Sequence, residues 1–114
     1  MDDFQLREED MEKEDKKELT GEIVHDETGQ KFYIDCGDDE AVLGYTRVNN
    51  IMDVHHVFVP ESMRGQGTAE KLSLAAFEFA EKNGLRIIAT CPYVKDTFLE
   101  KHPEWKKIVV ENYF

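Results

Sequence analysis

The fold of this chain is decided by one stretch, His55-His56-Val57-Phe58-Val59-Pro60-Glu61-Ser62-Met63-Arg64-Gly65-Gln66-Gly67, and by the residues after it up to Asn83. The stretch begins with β-branched and aromatic residues and reaches Pro60, which has no N–H group for a sheet, so we predict a strand that ends there. After Gly67, apolar residues recur at a spacing of about 3.6, which predicts a helix with one face in the core. That face consists of Ala69, Leu72, Ala75, Ala76, Phe79 and Ala80. Asn83-Gly84 is a typical end for such a helix.

Gly65 and Gly67 lie in the turn between this strand and this helix. A glycine-rich turn that leads into a helix leaves several N–H groups unpaired at the positive end of the helix dipole, and phosphate is the obvious ligand for such a turn. Arg64 at its rim adds a charge-assisted contact. The alternative is that the two glycines only make a tight turn, because short motifs often match by chance. The chain has no Gly-Lys-Ser/Thr of a P-loop and no GxGxxG of a dinucleotide fold.

The segment Arg64-Gly65-Gln66-Gly67-Thr68-Ala69, preceded by Val57-Phe58-Val59-Pro60, resembles the acetyl-CoA-binding motif of the GNAT acetyltransferase superfamily. That motif reads Gln/Arg-x-x-Gly-x-Gly/Ala after a strand, and Arg64, Gly67 and Ala69 occupy its fixed positions. The segments Cys91-Pro92-Tyr93-Val94 and His102-Pro103-Glu104-Trp105 extend the resemblance to residues 22–108. They are similar to the small, single-domain branch of the superfamily.

Length and charge limit the classes of protein that fit. A chain of 114 residues with a formal net charge of −11 is long enough for one domain, and an acidic chain has no general affinity for nucleic acid or an anionic membrane. Nine acids and four bases fall within residues 1–18, which have few large apolar groups. We therefore expect residues 1–20 to form an acidic, disordered tail and residues 21–114 to form the domain.

Cysteine usage and hydropathy point to an intracellular protein. No stretch approaches the roughly 20 apolar residues of a transmembrane helix, and the acidic N-terminus is unlike a signal peptide. Cys36 and Cys91 are far apart in sequence and predict free thiols rather than a disulfide framework. No spacing of His and Cys supports a metal site.

The remaining pattern predicts an α+β domain. Strands are predicted at residues 22–25, 31–36, 41–48, 51–59 and 86–91, and helices at 68–83 and 93–101. The first four strands should form an antiparallel meander, and the long helix should connect the fourth strand to a parallel fifth. This is a mixed, mainly antiparallel sheet of about five strands with one long helix and one short C-terminal helix. In the GNAT fold the fourth and fifth strands splay apart, and the pantetheine arm of the cofactor lies in the gap.

Leu74 and Phe77 lie on the side of the long helix where charged residues are usual. Two possibilities remain open for what buries these two side chains, the C-terminal residues of the same chain or a second subunit. We expect a monomer or a weak homodimer.

The resemblance implies a set of residues that bind acetyl-CoA. Backbone groups of Phe58 and Val59 would contact the pantetheine and the thioester carbonyl. The pyrophosphate would lie on N–H groups of the loop, and two further side chains would line the opposite wall of the groove. The loop residues are Arg64, Gly65, Gln66, Gly67, Thr68 and Ala69, and the wall residues are Tyr93 and Lys95.

Three residues are candidates for the chemistry. Cys91, next to the predicted gap, would accept the acetyl group transiently or shape the site, or else is a small apolar residue at the end of a buried strand. His56 is the candidate general base. Adjacent histidines on a strand face opposite sides, so only one of His55 and His56 can face the site, and the resemblance selects His56. The alternative is that His56 only makes a hydrogen bond inside the sheet. Tyr93 would protonate the leaving thiolate or pack on the cofactor. His102 is expected to close a helix end.

The resemblance implies an acetyl-CoA-dependent N-acetyltransferase of the minimal GNAT type, with an amine acceptor such as a lysine of a basic peptide. Larger GNAT enzymes build the acceptor site from two helices and two strands that this chain lacks, so the acceptor half is reduced. The alternatives are a non-catalytic acyl-CoA-binding module and a protein-interaction domain.

Overall fold

The computed structural model describes residues 22–110, and the predicted tail at residues 1–20 lies outside them. Five strands form one sheet in the order of the sequence. They are β1 (Ile23–Asp26), β2 (Lys31–Cys36), β3 (Asp39–Val48), β4 (Ile51–Phe58) and β5 (Arg86–Ala89). The long helix is α1 (Thr68–Lys82). A π-helical turn, Val94–Phe98, continues as the short α-helix Leu99–Lys101, and together they are called α2.

The sheet confirms the predicted topology. Strands β1 to β4 pair antiparallel as a meander, and β4 pairs with β5 in parallel. Helix α1 connects β4 to β5 and packs against β2, β3, β4 and β5. The fold class is therefore α+β with a mixed, mainly antiparallel sheet, as the sequence predicts.

Helix α1 begins and ends at glycines. Gly67 precedes it with a left-handed backbone (φ +75°), which a residue with a Cβ adopts only at a cost. At the other end Gly84 has φ +70°, and the N–H of Leu85 donates to the carbonyl of Ala80 at 2.8 Å. This is the hydrogen-bond pattern of a glycine-terminated helix, so the predicted end at Asn83-Gly84 is confirmed.

The C-terminal residues of the same chain cover Phe77. Its ring lies 5.0 Å from that of Phe98 in α2 and 5.7 Å from that of Trp105. Trp105 belongs to the 3-10 helix Pro103–Ile108, in a stretch where the sequence shows no period. Phe77 is completely buried. For Phe77, the C-terminal segment is therefore the cover found among the two that the sequence left open, whereas Leu74 is half-buried against the core cluster.

The core lies on one side of the sheet, between the strands and the helices. Alternate strand residues such as Phe32, Leu43 and Val54 are buried against Leu72 and Ala76 of α1. The opposite side of the sheet, called the outer face here, carries Tyr33 and Val42, which alternate with those core residues. No described residue of a helix packs on this face as part of the core cluster.

Within residues 22–110, no helix has both the length and the apolar character needed to cross a membrane.

Candidate functional site

A gap opens between β4 and β5. Their parallel pairing begins at Ile51 with Arg86 and ends at Val54 with Ala89, whereas β4 continues to Phe58. At the branch point, the carbonyl of Val54 accepts from the N–H of Thr90 at 3.1 Å and of Cys91 at 2.9 Å. The predicted fifth strand, residues 86–91, therefore ends two residues early, because both last N–H groups converge on one carbonyl. The second half of β4 has no partner strand on the side of β5, which is the splay that the family resemblance implies.

The loop after β4 is held by two side-chain bonds. Nε of Arg64 donates to the carbonyl of Val59 at 2.8 Å, and Oγ1 of Thr68 donates to the carbonyl of Met63 at 3.1 Å. The first bond ties the loop to the end of β4, and the second ties the start of α1 to a short 3-10 helix, Glu61–Met63. Both bonds fix the backbone between them.

The glycines of this loop leave its inner side open. Gly65 and Gly67 have φ of +80° and +75°, and a Cβ added at either would meet no atom within 4 Å. The first backbone bond of α1 is donated by Lys71 to Gly67, and no side chain caps the helix. Within residues 22–110, the N–H groups of residues 65–70 therefore have no hydrogen-bond acceptor. This is the arrangement of donors that binds an anion.

A groove of about 190 Å³ lies in front of these N–H groups. One wall is the loop and the first turn of α1, and the other is α2. Its lining residues are Val59, Met63, Arg64, Gly65, Gly67, Thr68, Ala69, Glu70, Tyr93, Thr97 and Lys101. The structure thus brings most of the predicted cofactor residues together around one space.

Three predicted cofactor residues lie outside this lining. Phe58 precedes the groove at the end of β4, with its side chain 46% exposed on the outer face. Gln66 and Lys95 are exposed and do not line the groove. The predicted contact of Phe58 is through its backbone, which borders the gap, and its binding role stays a prediction, as do those of Gln66 and Lys95.

Thr97 and Lys101 line the groove although the sequence motif does not include them. They follow Tyr93 at intervals of four residues, and such residues share one face of a helix. That spacing was the signal that would have identified them, and it would have excluded Lys95. Lys101 supplies the groove with a second cation besides Arg64.

Glu70 and His102 are paired by a hydrogen bond at the groove. Nε2 of His102 lies 2.5 Å from Oε2 of Glu70, and its Nδ1 lies 3.6 Å from Oε2 of Glu104. The hydrogen bond from His102 lowers the pKa of Glu70, and the charges of His102 and Lys101 act in the same direction, against partial burial. The carboxylate is thus held in its ionised form. His102 ends the helix as predicted and also joins α2 to α1 through this pair.

Tyr93 stands half-buried between the groove and the gap. Burial raises the pKa of its phenol, and the charges of Glu70 and Cys91 raise it further. The phenol therefore keeps its proton at neutral pH and is a hydrogen-bond donor. Its neighbour Cys91 is a free cysteine, 5% exposed, that belongs to the core cluster. The predicted catalytic roles of Tyr93 and Cys91 stay predictions.

A β-bulge changes the expected orientation of the two histidines. Gly44 pairs with His56 and Tyr45 pairs with Val54, so His55 has no partner in β3. A Cβ built on Gly44 would lie 3.5 Å from Cε1 of His55 and 3.8 Å from Cβ of His56. Both histidines are thus exposed on the outer face, and the prediction that they point to opposite faces is wrong because the bulge interrupts the alternation. Nε2 of His55 lies within hydrogen-bond distance, 3.2 Å, of Oγ1 of Thr46.

Comparison with known proteins identifies similar chains. The family described as GCN5-related N-acetyl-transferase matches residues 31–108. Protein NATD1 of Bos taurus is 34% identical over 84 residues, which cover 71% of this chain and 74% of the relative. Protein NATD1 of Danio rerio is 33% identical over 87 residues, or 73% of this chain and 79% of the relative. The NMR solution structure of a GCN5-like protein from Staphylococcus aureus has 37% identity and a TM-score of 0.62, and covers 82% of this chain and 93% of its own.

Proposed function

Since the chain belongs to the GCN5-related N-acetyltransferase (GNAT) family, we propose that it binds acetyl-CoA and transfers the acetyl group to an amine. This is the family that the sequence motifs resemble. The observation that carries this proposal is the junction of the gap with the groove. Pairing of β4 with β5 stops at Val54, and the groove begins at Val59 at the end of the same strand. A single extended ligand can therefore occupy both spaces.

The loop fits the pyrophosphate of the cofactor. Its unpaired N–H groups, at the N-terminus of a helix of 15 residues, provide donors and the positive end of a dipole. Arg64 and Lys101 add positive charge on opposite walls. The open space in front of Gly65 and Gly67 allows phosphate oxygens to approach the backbone closely.

The gap fits the pantetheine arm. The part of β4 beyond Val54 has free backbone edge groups facing the place that β5 vacates. An amide-bearing arm inserted there would pair with Phe58 and Val59 as a strand does. Cys91, buried at the branch point, would shape the inner end of this gap.

Acetyl-CoA supplies an acyl group that is activated as a thioester. The chain supplies a base for the incoming ammonium group and an acid for the leaving thiolate. We assign the base to His56, exposed beside the gap in β4, and the acid to Tyr93, whose phenol stays protonated between the gap and the groove. Because acetyl-CoA is an intracellular metabolite, the proposed site of action is inside the cell.

Calorimetric titration with acetyl-CoA and free CoA tests the cofactor assignment. The test variant is Arg64→Glu, and its matched control is Arg86→Glu. Nε of Arg86 also donates to a backbone carbonyl, that of Ile108 at 3.4 Å, but Arg86 lies at the start of β5, the end away from the gap. We expect the wild type and Arg86→Glu to bind in the micromolar range, and Arg64→Glu to bind at least about a hundredfold more weakly. Equal binding by both variants would refute the assignment of the loop.

Turnover separates an enzyme from a binding module. We expect steady release of free CoA when an amine acceptor is added to the protein and acetyl-CoA. Stoichiometric binding without release would support the non-catalytic acyl-CoA-binding module instead, which the reduced acceptor half makes the main alternative.

A further inference from the structure

An apolar row crosses four strands on the outer face of the sheet. The pairing register places Val24 opposite Tyr33, Tyr33 opposite Val42, and Val42 opposite Phe58. Val24 is 41% exposed and Phe58 is 46% exposed, and Tyr33 and Val42 between them are partly exposed. None of the four belongs to the core cluster or packs against it. The row is thus an exposed apolar stripe that folding of the described residues does not use.

Acidic residues run beside this row. Asp35 and Glu40 face each other across β2 and β3, both exposed, two register positions from the pair Tyr33 and Val42 and thus on the same face. Like charges directly opposite each other destabilise a sheet unless a cation lies near them. Nζ of Lys31 lies 3.9 Å from Oε2 of Glu40 and 5.0 Å from the centre of the Tyr33 ring. A lysine side chain therefore already bridges the apolar row and an acid on this surface.

The row ends at the gap. Phe58 is the last residue of β4, on the strand whose other edge β5 has left, and His56 lies two residues before it on the same face. Three strand spacings of about 4.8 Å give the row a length of about 14 Å, which four or five extended residues span. A peptide lying along the row would bring its next side chain to the place where the thioester is proposed to lie.

We propose that this outer strip, formed by the row Val24, Tyr33, Val42 and Phe58 with the acids Asp35 and Glu40, docks an extended basic segment of the acceptor protein. The inference rests on the proposed function, and it names the missing acceptor half of the site. Apolar side chains of the segment pack on the row, cationic side chains pair with the acids, and a lysine at the end of the segment enters the gap beside His56. Lys31 already shows within the chain that a cationic side chain can lie over this row and pair with one of its acids.

Charge complementarity favours this occupant over two others. Residues 1–18 of this chain carry nine acids and four bases, and the whole chain has a net charge of −11, so either the N-terminal residues or a second copy would bring further negative charge to Asp35 and Glu40. A basic segment neutralises them instead.

Peptide titration of the full-length protein tests the strip. The probes are synthetic peptides of about eight residues that combine lysine with leucine, lysine with glycine, or glutamate with leucine, ordered in adjacent like pairs so that both residue types occur on each side of the extended peptide. Binding is measured by fluorescence anisotropy and located by shifts of backbone amide signals in NMR. We expect the lysine–leucine peptide to bind about tenfold more tightly than the lysine–glycine peptide and to shift residues of β1 to β4. Shifts confined to other surfaces, or tight binding of the glutamate–leucine peptide, would overturn the proposal.

Matched double variants separate docking from general attraction to an acidic protein. Asp35→Lys with Glu40→Lys changes the strip, and Glu78→Lys with Glu100→Lys makes the same change of charge on exposed positions of α1 and α2. We expect the first pair to weaken lysine–leucine binding about tenfold and the second about twofold or less. Equal losses would overturn the proposal. Val24→Ser should remove the preference for leucine over glycine, since it shortens the apolar row.

Other occupants and failure of the proposed function give distinct results. If the amide signals of residues 1–21 shift when peptide is added, the strip binds the N-terminal residues of the same chain. If sedimentation shows a dimer that dissociates in Val24→Ser, the strip binds a second copy of the chain. Either outcome refutes docking of the acceptor. Acetyl-CoA titrated into the same samples should bind equally to the wild type and Asp35→Lys with Glu40→Lys. Peptide binding without any acetyl-CoA binding would refute the proposed function and leave the strip as a protein-interaction surface.

Discussion

Glu70 and His102 join the two helices at the groove, with Nε2 of His102 lying 2.5 Å from Oε2 of Glu70. Glu70 lies in the first turn of α1, one position after the segment 64–69 that resembles an acetyl-CoA-binding motif, and it lines the space that we assign to a pyrophosphate. An isolated carboxylate there would repel the ligand. The pair therefore compensates a charge that is unfavourable for the proposed function.

Removing His102 should expose that repulsion. We expect His102→Ala to weaken CoA binding about three- to fivefold, because the carboxylate of Glu70 loses its hydrogen-bond donor while facing the phosphates. Glu70→Gln in the same protein should restore the affinity, since it removes the uncompensated charge. The measurement is calorimetric titration of the two single variants and the double variant. A double variant no better than His102→Ala would indicate a loss of packing, because the imidazole also lies 4.8 Å from the ring of Phe98.

Tyr93→Phe should affect turnover and leave CoA binding nearly unchanged. The phenol is the proposed donor to the leaving thiolate, and burial holds its pKa above the usual value of about 10. The acid form is therefore present across the working pH range, and Tyr93 should add no alkaline limb below about pH 10. We expect the turnover number to fall about a hundredfold while the dissociation constant of CoA changes less than about twofold. An unchanged turnover number would assign Tyr93 to packing on the cofactor.

Cys91→Ala should keep both CoA binding and transfer. Cys91 is 5% exposed and packs in the core cluster, an environment unlike the partly exposed, electropositive setting of reactive thiols. We expect a loss of about 1 kcal/mol in the free energy of unfolding, because a buried group is removed. Intact-protein mass spectrometry after incubation with acetyl-CoA is the check. One added acetyl group on the wild type that is absent from Cys91→Ala would instead make Cys91 a transient acceptor.

The sequence was sufficient for the parts of the site that lie close together in the chain. Pro60 ended a strand, Gly65 and Gly67 marked the turn, and Asn83-Gly84 ended the helix, because each of these residues constrains its own backbone. The topology followed from one helix placed between two strands. The splay of β4 and β5 was implied by the family resemblance alone.

The parts that the sequence could not give depend on register or on distant contacts. The bulge opposite Gly44 turns His55 and His56 to one face, and no local propensity fixes how two strands are offset. Glu70 and His102 are 32 positions apart, so only the packing of α2 against α1 brings them together. The cover of Phe77 by Trp105 was left open for the same reason, since residues 103–108 have no helical period.

His25 should make stability depend on pH. Its ring stacks on Phe32 at 4.0 Å, meets Phe79 edge-on at 4.5 Å and lies with Nε2 2.6 Å from the hydroxyl of Tyr45. Burial lowers the pKa of His25 below its usual value of about 6.5, although the charges of Glu27 and Asp26 oppose this. The unfolded chain therefore takes up a proton at a higher pH than the folded chain does.

The sign of the effect follows from this difference. The contribution of His25 is complete above about pH 6.5 and is lost as the pH falls toward the lower folded pKa, so the free energy of unfolding should decrease with acidification. His25→Gln keeps a hydrogen-bonding side chain and removes the titration. In urea unfolding at about pH 7.5 and about pH 5.5, we expect a smaller decrease for His25→Gln than for the wild type. Equal decreases would mean that carboxylates alone cause the pH dependence.

His56 and His55 offer a matched test of the proposed base. Both are exposed on the outer face, but His56 lies closer along β4 to the unpaired end at Phe58, and the ring of His55 lies beside Thr46 in β3, away from the gap. Proton removal from the acceptor ammonium should therefore depend on His56. We expect His56→Gln to lower kcat/KM for an amine acceptor about a hundredfold, whereas His55→Gln changes it less than about threefold. CoA affinity should be unchanged in both variants, since neither side chain lines the groove. Equal losses in the two variants would move the base elsewhere, because a general disturbance of the bulge affects both histidines alike.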